Sequence, residues 1–305
     1  MANKKTRFWL ILLSIPVILI VGAVVFLKVY FSGDRLKNFV IPKVEIALHK
    51  KVEIKDISLS LFPTFGVELA GLKISSPKGH EFEKQDFVSL DELLLDVNIF
   101  ALFKNSLEVN EVIIRRPHLY LEVNKDGVAN YKVPGDTAFV DADKRVTAKV
   151  EVGQQASILL SNFQIIDGDF EYINKIDDRH LVVMNINQKT RVETSSATED
   201  ILMKSEWRVG GISFGSIKNF LIENVPLNVD QTIKYVKKKD ELAFDSVVIG
   251  IKDVVLMLTG KVTETQTKPY LNLEMKTKSA ELSHLLSLVP KEFLKSAKGL
   301  STTGK

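Results

Sequence analysis

The chain has 305 residues, of which 45% are hydrophobic and 26% charged, the balance of a folded protein of one large or two ordinary domains. A net charge of +3, from 41 basic and 38 acidic residues, gives no basic excess of the kind that nucleic acid requires. There is no cysteine, which excludes disulfides, thiol catalysis and cysteine-held metals while leaving the redox compartment open.

Lys4, Lys5 and Arg7 precede a run of 20 uncharged residues, Phe8–Leu27 (FWLILLSIPVILIVGAVVFL). At about 1.5 Å per residue such a run spans the ~30 Å hydrocarbon layer, and Pro16 is tolerated in a membrane helix. The basic flank puts residues 1–7 in the cytoplasm, makes 8–28 a transmembrane helix and exports everything after it. A cleaved signal peptide, cut after Val21-Gly22-Ala23, is the rival, but Val24, Val25, Phe26 and Leu27 extend the apolar run past that site. The anchor is favoured.

Residues 29–50 place Leu36, Phe39, Val40, Val44, Ala47 and Leu48 at helical spacing, so an amphipathic linker helix is expected there. Pro42 either interrupts it or starts a fresh turn. Its apolar side should pack on the end of the sheet that follows. From Val52 the period changes to two. In "VEIKDISLSLFPTFGVELAGLKI" Leu59 and Leu61 alternate with Ser58 and Ser60, and Val67 and Leu69 with Glu68 and Ala70. Likewise Leu95, Val97 and Ile99 oppose Asp96 and Asn98, and Leu107 and Val109 oppose Glu108 and Asn110. Near the end, Leu271, Leu273 and Met275 oppose Asn272, Glu274 and Lys276. Asn124-Lys125-Asp126-Gly127, Asp167-Gly168-Asp169 and Gly210-Gly211 punctuate these strands. About a dozen strands over 51–278 are expected, mostly antiparallel, with a candidate division in the polar stretch near 134–153. Asn110–Lys125 and Ser161–Lys175 echo each other, each an apolar strand, a break at Pro117 or Gly168, and a second strand with aromatic residues. Residues 279–305 read as short helices around Pro290, and the ending at GLSTTGK suggests a longer protein cut short.

Chemistry-bearing constellations are few. Gly211-Ile212-Ser213-Phe214-Gly215 fits G-x-S-x-G, but that nucleophile elbow needs a strand before it and a helix after it, and Ile217–Leu227 reads as strand. His49, His80, His118, His180 and His284 are scattered without metal-ligand spacing, and the carboxylates spread along polar strand faces. Neither an enzyme nor a cofactor is expected.

The anchor, the amphipathic helix, Val52-Glu53-Ile54, the Ser60-Leu61-Phe62-Pro63 turn and Ser76-Pro77 together resemble the start of the AsmA-like family of bacterial envelope proteins. The resemblance continues through Phe87–Tyr131 and Glu241–Val262, so it covers most of the chain. It implies an inner-membrane, single-pass protein with its bulk in the periplasm, related to TamB-like and chorein-type bridge proteins that move phospholipids along a hydrophobic groove. It also implies a link to outer-membrane biogenesis and to outer-membrane assembly components as partners.

Three architectures could cover the apolar faces: a sandwich, a closed barrel or an open curved sheet. Composition alone favours the sandwich; the resemblance turns the expectation to an elongated, curved antiparallel β-groove. On that reading Leu59, Leu61, Val97, Ile99, Leu107, Val109, Leu271 and Leu273 face phospholipid acyl chains. The rival is an anchored structural or adaptor domain that assists outer-membrane protein assembly and binds no lipid.

Overall fold

A computed structural model describes residues 33–60, 65–98, 107–132, 158–195, 198–265 and 268–279. The anchor at 8–28, Leu61 with its Phe62-Pro63 turn, Ile99, the division near 134–153 and the tail helices lie outside the described residues. Among the described residues no helix is long and apolar enough to cross a membrane.

Helix α1 (Gly33–Leu48) leads into β1 (Val52–Ser60), β2 (Phe65–Ser75), β3 (Asp86–Asn98), β4 (Leu107–Arg115) and β5 (His118–Val123). Then follow β6 (Ile158–Asn174), β7 (Arg179–Thr194), β8 (Ile201–Gly215), β9 (Phe220–Val236), β10 (Glu241–Ile251), β11 (Val254–Thr263) and β12 (Tyr270–Ser279). All twelve strands form one curved sheet with β1 and β12 at its edges. The path follows the chain, except that β5 continues the track of β4 beyond a break at Arg116-Pro117, so that both pair with β3 and β6.

The expectation of antiparallel neighbours holds for every pair but two. Strand β6 runs parallel to β4 and to β5. A parallel pair needs a long return connection, and residues 124–157 between β5 and β6 supply it. The two echoing segments meet here: Glu111 pairs with Asn162 and Val123 with Asn174, and Gly168 packs on the Pro117 ring. The echo therefore relates two neighbouring strand tracks broken at the same level.

Helix α1 runs unbroken through Pro42, which lies on its solvent side. It ends at His49, which adopts a left-handed φ of 52°. Leu36, Val40, Ile41, Val44 and Leu48 pack on a core of Val52, Ile54, Ile57, Leu69, Ile74, Phe87 and Leu90. This core explains a slip in the sequence. Val52 and Ile54 are even-numbered and Ile57 and Leu59 odd, yet Ile54 and Ile57 are both buried in one cluster. Opposite Lys55, Gly71 sits at φ 64°, and the β1–β2 pairing keeps its register on both sides of it. One left-handed residue turns the alternation over, so the apolar residues return to the same face.

The slip recurs at the same level across the sheet. Left-handed residues stand at Arg116, at Asp167 in β6, Asn185 in β7 and Asn224 in β9. They are tied across strands: Arg116 Nε donates to Asp91 (2.5 Å), Asp167 N to Asn187 Oδ1 (3.2 Å) and Asn185 N to Asp169 Oδ1 (2.9 Å). Asn and Asp tolerate this conformation better than other side-bearing residues, because their short polar side chains bond locally. The result is a transverse seam from β1 to β9 across which the apolar residues of the first strands return to one face.

Burial is uneven along the sheet. β1 and β2 each bury three residues, whereas β9, β10 and β11 each bury one, Val225, Val247 and Val254, and no described side chain of β12 is buried. Among the described residues, apart from α1 on β1, extensive contacts join only hydrogen-bonded neighbours in the sheet. A sandwich would bury every second residue of these strands against a facing layer. That arrangement is not formed among the described residues.

Candidate functional site

The pairing registers follow one row of side chains from edge to edge. Leu59 lies opposite Val67, Val67 opposite Leu95, Leu95 opposite Val112 and Val112 beside Phe163. From Phe163 the row passes to Thr190, Ser205 and Gln231, then to Val247, Leu258 and Met275. The neighbouring row on the same face runs Ile57, Leu69, Leu93, Ile114, Ile165, then Gln188 and Trp207, then Val229, Ile249 and Leu256. The face is apolar on both flanks and carries a polar patch in the middle strands.

Five residues predicted to line a groove can be placed on this face. Val97 lies opposite Val109 and Leu59 opposite Val67, all half-buried. Leu271 pairs with Val262 and Leu273 with Gly260, on the edge strand, where they are 60% and 40% exposed. The registers put Leu59, Val97 and Val109 near one end and Leu271 and Leu273 at the other, so they share a face without forming one pocket. The backbone of Leu107 pairs with Ile158 in that ladder; its side chain, like Leu61 and Ile99, is outside the described set.

The opposite face is mainly hydrophilic. Ser58, Glu68, Gln164, Lys189, Glu206 and Asp230 occupy one of its rows, interrupted by Leu94 and Ile113. Ion pairs cross it, Arg115 Nε to Glu92 at 2.7 Å and Arg208 Nη2 to Asp230 at 2.6 Å. Both pairs are largely exposed and each is worth little to stability. Asn98 donates to Glu108 Oε2 at 2.8 Å on this side.

Within the polar patch, Gln188 Nε2 donates to the Thr190 hydroxyl, which lies 2.6 Å from Ser205 Oγ. Gln188 and Ser205 are 4% and 3% exposed. The chain of hydroxyls satisfies most of the buried polar atoms there, as burial requires.

A second polar cluster was not foreseen. Alternation puts Leu119 and Leu121 on the apolar face, and therefore Tyr120 and Glu122 on the face that the sequence marks as wet. Instead Tyr120, Glu122 and Asn130 are fully buried. The Tyr120 hydroxyl donates to Glu122 Oε2 at 2.7 Å, and the same oxygen accepts from the Glu83 backbone N–H at 2.8 Å. Lys175 Nζ stands 2.8 Å from Glu122 Oε1 and 2.9 Å from Glu83 Oε1. Asn130 accepts from Glu122 N and donates to Tyr120 O. Burial, then the bond to Glu122, pushes the Tyr120 hydroxyl well above its ordinary pKa, so it stays a donor. Next to it Lys84 donates to Glu171 at 2.6 Å and lies 4.5 Å over the Tyr120 ring. The signal that could have revealed the cluster is the turn after β5: Asn124 accepts from Asp126 N and Val128 N, and Gly127 at φ 80° folds Asn130 back over the strand.

Other chemistry does not assemble. Gly211–Gly215 lies in β8 with strand β9 after it, and Ser213, 5% exposed, accepts from the Asn224 backbone. That is not a strand–turn–helix elbow. Among the described residues no group of three His, Asp or Glu is placed to hold a metal.

A family model described as the AsmA family matches residues 3–284. The chain belongs to the AsmA family. No curated protein and no solved structure matches it. For this AsmA-family chain the matched span takes in the uncharged run, α1 and all twelve strands, so the apolar sheet face lies wholly within the family region.

Proposed function

We propose that this AsmA-family protein is anchored in the bacterial inner membrane and carries phospholipid acyl chains along its apolar sheet face through the periplasm, in the service of outer-membrane biogenesis. The observation that carries this reading is the face itself. Its rows are apolar over β1–β6 and again over β10–β12, with a polar patch between them; α1 covers them at one end and they remain half-exposed over the later strands. An apolar surface of that extent is a liability in water unless a guest or partner covers it. Each acyl CH₂ kept from water gains about 0.8 kcal/mol, so a lipid tail is a fitting guest and no covalent step is needed.

The test is photo-crosslinking in cells with a benzophenone residue at Val97 or at Asn98, which point to opposite faces. Phospholipid attached at position 97 and absent at 98 is the expected result. A folded, anchored protein that captures lipid at neither position would overturn the reading. Val97→Asp should impair function while Asn98→Asp stays mild.

One observation favours a second reading. Strand β12 presents a sheet edge whose Tyr270, Leu271 and Met275 are 68%, 60% and 63% exposed, a surface suited to pairing with another strand. An adaptor that assists outer-membrane protein assembly would use that edge, and crosslinks from Tyr270 to protein rather than lipid would speak for it.

A further inference from the structure

Helix α1 has two apolar sides. One is spent on the sheet through Leu36, Val40, Val44 and Leu48. The other faces away from it. There Phe39 and Ile46 are 61% and 73% exposed, one above the other at i and i+7, with Pro42 between them. Arg35 and Lys43 border this stripe, and the Lys43 ammonium lies 4.2 Å over the Phe39 ring. The two acidic side chains of the helix are engaged away from the stripe, Asp34 with Lys37 at 3.0 Å and Glu45 accepting from the Val52 backbone N–H at 3.0 Å, so the stripe has a basic border.

We infer that this outer stripe of α1 seats on the surface of an anionic phospholipid bilayer, holding the covered end of the sheet against the membrane. Two observations select a bilayer over another occupant. The composition is that of an interfacial helix, with aromatic and aliphatic residues between cations that reach phosphate groups. The chain also constrains the distance. Five residues, Lys28 to Ser32, separate the uncharged run ending at Leu27 from the start of α1 at Gly33. Fully extended they reach at most ~18 Å, so a membrane-embedded run keeps α1 beside the headgroups. Tyr30 and Phe31 in that link are of the type that collects at membrane interfaces. The inference rests on the anchor proposed above and adds a second attachment to it. The sheet's first strands would then lie where an acyl chain leaves the bilayer.

The chain has no cysteine, so a single Pro42→Cys variant of the full protein takes one environment-sensitive fluorophore while Phe39 and Ile46 stay in place. The labelled protein is incorporated into vesicles of phosphatidylethanolamine and phosphatidylglycerol, with or without doxyl-labelled lipid as quencher. A label at Lys238→Cys, in the turn between β9 and β10, is the control, and flotation of the vesicles reports anchoring independently. Quenching at position 42 without quenching at 238, in protein that floats, is the expected result. Arg35→Glu with Lys43→Glu should reduce that quenching while flotation persists. Protein that floats but is unquenched at 42 overturns the inference and leaves the anchor standing; this includes a label shielded by a second copy of the chain. Protein that fails to float overturns the anchor and the inference together.

Discussion

The two ends of this sheet are built from similar alternating strands and are stabilised differently. At the β1–β3 end, α1 closes over the apolar face and Val52, Ile57 and Leu69 fall to 3%, 3% and 8% exposure. Across β9–β12 the same alternation is present, but apart from Val225, Val247 and Val254 its described apolar residues stay half-buried or exposed. The first end is a conventional hydrophobic core; the second is held chiefly by its ladders and by contacts between neighbours along a row. An apolar side chain in the cluster under α1 thus has a folding role, whereas one outside it, such as Val97 or those across β9–β12, is available for another. Substitutions that treat the two ends alike should therefore give unlike results.

The largest effect is expected at the covered end but on its other face. Glu122→Ala leaves the Tyr120 hydroxyl and the Glu83 backbone N–H without their buried acceptor, while Lys175 keeps Glu83 at 2.9 Å, and should cost about 3–5 kcal/mol in urea unfolding of the full chain. Glu122→Gln keeps one acceptor and should cost less. If both variants unfold at the wild-type midpoint, the cluster is not what holds residues 76–85 and the β5 turn to the sheet.

Next comes a matched pair across the two regions. Ile57→Ala removes a core side chain that is 3% exposed and should cost about 2–5 kcal/mol. Leu273→Ala, at a residue 40% exposed on the open end, should cost under about 1 kcal/mol. Equal losses would mean that the open end is covered in solution, and the contrast would fail. A smaller pair tests the seam. Gly71→Ala sets a side chain at φ 64° with its Cβ 2.8 Å from that of Lys55, and should cost about 1–2 kcal/mol. Gly250→Ala, where the nearest atom is 3.7 Å away and φ is ordinary, should be near neutral.

Much of the fold was legible because period two is a direct physical signature of a half-covered strand. The amphipathic spacing of Leu36, Phe39, Val40, Val44 and Leu48 gave α1 and most of the side it buries, but Phe39 lies 61% exposed on the outward side and Ile41 takes a place on the core. The phase slip was also written in the sequence, in Ile54 and Ile57, in Leu69 and Leu72, and in Leu90 and Leu93, three apolar pairs each spaced by three. Only the pairing registers show that these slips align and so keep one face apolar. The parallel placement of β6 could not be read locally, because it depends on where a long connection returns. The buried Glu122 was missed for a related reason. Alternation says which face a residue is on, and the cover over that face comes from 76–85, distant in sequence, and from the turn at 124–132 that folds straight back over β5. The candidate groove residues were chosen by alternation and so share a face, but alternation does not say how far apart along the sheet they stand.

The smallest effect is a dependence on pH that should centre on Glu171 in β6. Glu171 is half-buried, and burial by itself would raise its pKa. Hydrogen bonds from Lys84 at 2.6 Å and from His180 at 3.0 Å outweigh burial and hold its carboxyl below the usual range. A group whose folded pKa is depressed contributes stability that is fully present above the unfolded value, about 4.3 for glutamate. That contribution is lost as the pH falls through the lower folded value. Wild-type protein should therefore lose urea resistance below about pH 4, and Glu171→Gln should start lower at neutral pH and lose less on acidification. Parallel curves for the two proteins would show that Glu171 gains nothing from its partners. A shallow slope restored by Lys84→Met would instead assign the effect to the Lys84 pair, which ties residues 76–85 to β6.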